Sequence, residues 1–127
     1  MDEKIMLDTN FLVAPFQLSM TLEDEFDRLY PFHQLYTLED AVQEAKSIEG
    51  GKYGDLVETL IEKLDIEVLE TEGEGTVDDL LLDVSSDYLV ATNDKELKQR
   101  IRKEGNPVVI IRTNDHLEVV EGRTNRL

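Results

Sequence analysis

Short apolar runs rich in Ile, Val, Leu and Tyr recur along this chain, and stretches with helical periodicity lie between them. This alternation limits the possible folds more than any other feature. The run 4-KIMLD-8 reads as a strand ending in an acid, and 22-LEDEFDRLY-30 places Leu22, Phe26, Leu29 and Tyr30 on one helical face. A β-prone 33-HQLYT-37 precedes 38-LEDAVQEAKSI-48, whose Leu38, Ala41, Val42, Ala45 and Ile48 keep helical spacing until Gly50 and Gly51 stop it. A helix over 53–64 then leads to the alternating strand 66-IEVLET-71 and an acidic turn, 72-EGEG-75. Thr76 opens a helix over 76–87, 88-YLVAT-92 is a buried strand, and 94–105 is a helix ending in glycine. The strand 107-PVVIIR-112 follows, and a strand-like 117-LEVVE-121 closes the series.

Strands separated by helices predict an α/β fold: a central parallel sheet of five strands, covered on both faces in three α/β/α layers with right-handed crossovers. A chain of 127 residues has the length of one domain, expected over 1–122, with 123–127 as a disordered tail. The absence of cysteine excludes a disulfide framework and a cysteine zinc site. The apolar runs fall far short of the roughly 18 to 20 residues of a membrane span. The opening MDEKIMLD has three acids and one lysine, the reverse of a basic secretory leader, so a cytoplasmic protein is expected.

With 29 Asp and Glu against 13 Lys and Arg, the net charge is −16, which on average repels nucleic acid. The charge is unevenly placed. Residues 1–94 carry 5 basic and 24 acidic side chains, whereas residues 95–127 carry 8 basic and 5 acidic. Lys95, Lys98, Arg102 and Lys103, on the helix that follows the fourth strand, therefore form a candidate RNA-binding surface. The bulk acidity also fits adaptation to high salt.

In an open α/β sheet, ligands bind beyond the carboxyl ends of the strands. Asp8 ends the first strand, Glu44 lies on the helix after the second, Asp78 and Asp79 open the helix after the third, and Asp94 follows the fourth. Carboxylates converging at one sheet edge repel one another unless they bind a hard divalent cation or hold protons. Magnesium or manganese with oxygen ligands would activate water and stabilise phosphoryl charge, so phosphodiester hydrolysis is the expected chemistry. Helix capping is the competing explanation for two of the acids. Asp79 stands three residues after Thr76, and Asn93 with Glu96 makes a similar pair around Asp94. His33 and His116 read as packing or surface residues.

At these residues the chain resembles the PIN-domain ribonucleases, through 7-LDTNFLVAPFQ-17, 41-AVQEA-45, 77-VDDLLL-82 and 89-LVATNDKELKQRIR-102. The first and last blocks are most similar to archaeal relatives of the nuclease that cuts precursor ribosomal RNA in the small-subunit processome; VapC toxins are more distant. The resemblance implies a Mg2+- or Mn2+-dependent endoribonuclease with strand order 3-2-1-4-5. It matches Asp8, Glu44, Asp79 and Asp94 to a catalytic, metal-binding quartet, supported by Asn10 and Thr92. The short span from Asp79 to Asp94 leaves Asp78 open as a ligand. Implied partners are RNA, ribosome-assembly factors or, for a toxin, an antitoxin, and a second copy of the chain docking through Phe11, Val13, Phe16, Leu18 and Met20. A phosphoacceptor signalling domain shares the alternation, but it needs an aspartate ending the third strand and a lysine after the fifth. Here Glu70 and Thr71, then Arg112 and Thr113, occupy those places.

Overall fold

The computed structural model describes residues 2–71 and 75–123. Strand β1 (Glu3–Leu7) lies near the centre of the sheet, and its Ile5, Met6 and Leu7 are fully buried. A strand covered on both faces is apolar on consecutive residues rather than alternating ones. Two helices follow where the sequence suggests one. Helix α1 (Thr9–Gln17) begins directly after Asp8 and breaks at Leu18, and α2 (Leu22–Leu29) starts with Glu23, Asp24 and Glu25 at its N-terminus, where the helix dipole favours acids.

Next come β2 (His33–Leu38), α3 (Glu39–Ser47), a single 3-10 turn over Ile48–Gly51, α4 (Gly54–Lys63) and β3 (Glu67–Leu69). The second half holds α5 (Val77–Val84), β4 (Leu89–Ala91), α6 (Lys95–Lys103), β5 (Val108–Arg112) and β6 (His116–Val120). The sheet order is β3-β2-β1-β4-β5-β6. The first five strands are parallel in the expected order, but the sheet has six: β6 turns back antiparallel on β5. Thr113 and Asn114, both at positive φ, make the tight turn that permits this hairpin.

Helices α1, α3 and α4 pack together, as do α5 and α6, while α2 leans on β6. Glu25 accepts the Leu117 N–H at 2.9 Å and Arg28 donates to the Leu117 carbonyl at 2.5 Å, so α2 satisfies the outer edge of β6. Phe11, Val13 and Met20, expected on a dimer surface, are buried in the core instead. The break between α1 and α2 turns those side chains inward, and Phe16 and Leu18 alone of that set remain partly exposed. No helix among the described residues is long and apolar enough to cross a membrane. Of the expected tail, residues 124–127 lie outside the described residues, as do 72–74 of the acidic turn.

Candidate active site

The register of the central strands brings the first acid to its neighbours. Leu7 pairs with Ala91 on one side and Thr37 on the other, so β1, β2 and β4 finish level with one another. The buried Thr37 hydroxyl donates to the Leu7 carbonyl at 2.9 Å, and the Asp8 N–H donates to the Ala91 carbonyl at 3.1 Å. Asp8 is therefore held at the carboxyl edge of the sheet by its backbone. Its side chain caps α1, with Oδ1 accepting the Phe11 N–H at 2.9 Å.

Asp8 is only 5% exposed. Burial pushes its carboxyl up to about 6 from 3.8, reinforced by the charges of Asp78 and Asp94; the Thr92 hydroxyl and the Phe11 N–H oppose the rise without cancelling it. Burial also raises Asp78, and the Asp94 charge adds to that, while Arg100 works in the opposite direction. Three of the predicted acids thus feel one another across β1, α5 and α6.

Asp79 is directed elsewhere. It completes a capping box with Thr76, whose hydroxyl accepts the Asp79 N–H at 3.2 Å, and it pairs with Arg100 at 3.2 Å. The Thr76 backbone first, and then Arg100, hold its carboxyl below the usual range. Adjacent residues in the first turn of a helix point about 100° apart, and of the two acids it is Asp78 whose charge acts on Asp8.

Asp94 caps α6, with Oδ1 accepting the Leu97 N–H at 2.8 Å, and its own N–H donates to the Thr92 hydroxyl at 3.1 Å. The capping role read for Asn93 with Glu96 does not form, because the cap falls one residue later. Asn93 instead bonds the backbone of Ile111 through both ends of its amide. Glu44 is exposed on α3, and the charges raising Asp8 come from Asp78 and Asp94 rather than from it. Asn10 is exposed in the first turn of α1, and Thr92 is fully buried.

Among the described residues, no three His, Cys, Asp or Glu side chains form a ready-made cation cage. The donor chemistry nevertheless fits a hard cation. Asp8, Asp78 and Asp94 all offer carboxylate oxygens, Asp8 is destabilised as an anion by its burial and further by the other two charges, and a cation relieves both. Next to Asp8, the Thr9 hydroxyl is buried with no hydrogen-bond partner among the described residues.

Sequence reasoning missed Arg100 as a neighbour of the site and Asn93 as a brace. Arg100 was visible only as one member of a basic run, since the packing of α6 against α5 is what sets it beside Asp79. On α6, Lys95 and Lys103 are exposed and Lys98 is half-buried, whereas Arg102 donates to the Glu121 carbonyl at 2.8 Å.

A family model described as a PIN-like domain matches residues 5–114. No curated protein matches the chain. The structure of the PIN domain endonuclease Utp24 is similar over 96% of both chains, at 24% identity and a TM-score of 0.79. A domain of a functionally unknown protein from Methanocaldococcus jannaschii DSM 2661 aligns over 98% of both chains, at 13% identity and a TM-score of 0.48.

Proposed function

The chain belongs to the PIN-like domain family, and from that premise we propose that it is a divalent-metal-dependent endoribonuclease, hydrolysing RNA phosphodiester bonds in ribosomal or other RNA processing. The observation that carries this reading is the burial of Asp8 beside the charges of Asp78 and Asp94. The likeness to Utp24, described as an endonuclease, supports the reaction class.

Asp8, Asp78 and Asp94 would hold Mg2+ or Mn2+, with Glu44 completing the acidic rim from α3. The ion, when bound, supplies a more acidic water and charge stabilisation at a phosphoryl oxygen. The remaining work belongs to the chain. Thr92 holds the Asp94 turn and favours ionised Asp8; Asp79 fixes Arg100 at the mouth of the site; Lys95 and Lys98 meet the RNA backbone. Arg100, beside Asp78, is placed to meet a phosphate as it approaches the carboxylates.

The test is cleavage of structured and single-stranded RNA by the purified chain with manganese, with magnesium and with chelator. Metal-dependent internal cuts, lost in Asp8→Asn, are expected. Glu44 is not among the charges that act on Asp8, and this favours a second reading: a module that binds metal and RNA without turnover. Intact RNA that is nevertheless retained by the protein in every condition would select it.

A further inference from the structure

A groove at the far end of the sheet from Asp8 has a composition that the nuclease reading does not use. One half, a cavity of about 270 Å3, lies between the end of α1 and α4, and its apolar lining includes Phe16, Met20, Leu56 and Leu60. It continues into a second cavity of about 240 Å3, lined by Asp27, His33 and Asp65. Glu23, Lys63 and Leu64 border both cavities, so the two form one trough, apolar at one end and predominantly acidic at the other.

One exposed large hydrophobic residue marks this trough: Leu56, 44% exposed, lines the apolar half. The helices on either side carry more acid at exposed positions, with Asp24 on α2 and Asp55 and Glu62 on α4, while Glu58 is paired with Lys46 of α3 and Lys63 is a cation at the join of the two halves. An apolar seat next to a field of carboxylates selects for an apolar anchor joined to positive charge. RNA is repelled by these carboxylates. Among the described residues of a second copy, the basic side chains concentrate on α6, whose Leu97 and Ile101 are fully buried and so offer no apolar anchor beside them.

We propose that this trough docks a linear segment of a protein partner that presents a bulky apolar residue followed closely by lysine or arginine. The apolar side chain sits between Phe16 and Leu56, and the basic side chains run along Glu23, Asp27 and Asp65. Docking there leaves the Asp8 edge of the sheet open, because β2 and β3 begin at the trough and β1 ends at the site.

The probe is a fluorescein-labelled peptide with a leucine and phenylalanine block joined to an arginine and lysine block, titrated with the full chain by anisotropy. Two control peptides lack the apolar block or carry glutamate for the basic residues. The complete peptide is expected to bind at least about tenfold more tightly than either control, the ratio that burial of one large apolar side chain supports. Leu56→Asp and Asp27→Lys should each remove most of that advantage, and Thr59→Arg, on the exposed lip, should do so without touching a core residue. Equal binding of the peptide without its apolar block would reduce the effect to diffuse attraction by an acidic body. Undiminished binding to the folded variants, or no binding above that of the glutamate peptide, would overturn the proposal. So would sedimentation showing that the chain self-associates through Leu56.

Discussion

Asn93 pairs with Ile111 as a strand residue would, donating from Nδ2 to the Ile111 carbonyl at 3.0 Å and accepting the Ile111 N–H on Oδ1 at 2.6 Å. Main-chain pairing of β4 with β5 ends at the bond from the Thr92 N–H to the Val109 carbonyl, so the amide side chain extends the ladder one step further. This fixes the turn that delivers Asp94. Asn93→Ala removes both bonds and should cost about 1–2 kcal/mol in denaturant melts. In cleavage assays it should also raise the manganese concentration needed for half-maximal rate, since Asp94 loses its brace. An unchanged metal requirement would limit Asn93 to a structural role.

Asp8 sets a pH dependence of stability. Its folded value, about 6, lies above the 3.8 of an unperturbed aspartate, so the folded state binds the proton more tightly than the unfolded one. Stability therefore falls as pH rises from 3.8 through 6, and above that the full penalty, about 3 kcal/mol, applies. Asp8→Asn keeps an oxygen for the Phe11 N–H and carries no charge. In chelator it should melt higher than the parent at about pH 8, with the difference vanishing at about pH 4. Cleavage should be lost in the same variant.

The two neighbouring acids at the start of α5 should separate cleanly. Asp78→Ala should abolish metal-dependent cleavage while leaving the melting temperature unchanged or higher, because it removes a charge that repels Asp8 and Asp94. Asp79→Ala should lower the melting temperature by breaking the capping box and freeing Arg100, with a partial loss of rate. The reverse pattern would return the ligand role to Asp79.

On α6, Lys95→Ala with Lys98→Ala should weaken binding to every RNA sequence and flatten the salt slope by about 1.4 for single strands. Lys103→Ala, at the opposite end of the helix from Asp94, should have the smaller effect. Arg102→Ala should instead lower stability, because its guanidinium holds the Glu121 carbonyl. Salt titrations of binding together with thermal melts distinguish the two behaviours.

Gly122 passes so close to the neighbouring turn that a Cβ built there would lie 2.3 Å from the carbonyl carbon and oxygen of Gly105. Both contacts are backbone and cannot move aside as a flexible side chain would. Gly122→Ala should therefore destabilise the protein by about 1–3 kcal/mol in denaturant melts. A loss no larger than that of an ordinary surface substitution would show that the two segments separate easily.

Periodicity and the acids that end strands determined a good deal from the sequence alone. The order of elements, the parallel core of the sheet and the placing of Asp8 beyond β1 follow from local patterns, because burial on both faces demands consecutive apolar residues and a helix demands its 3.6-residue stripe. Which groups meet was decided by the tertiary structure. Asp78 and Asp79 are chemically identical neighbours: the spacing from Thr76 already offered Asp79 a cap, but only the packing of α6 on α5 sets Arg100 beside Asp79, and only the tertiary structure brings the charge of Asp78 to bear on Asp8. Phe11, Val13 and Met20 read as surplus apolar residues until the break after Gln17 folds them into the core. The antiparallel pairing of the strand-like 117–121 segment as a sixth strand, the Asn93 bridge and the trough between α1 and α4 likewise depend on how segments meet in space, which one-dimensional spacing does not carry.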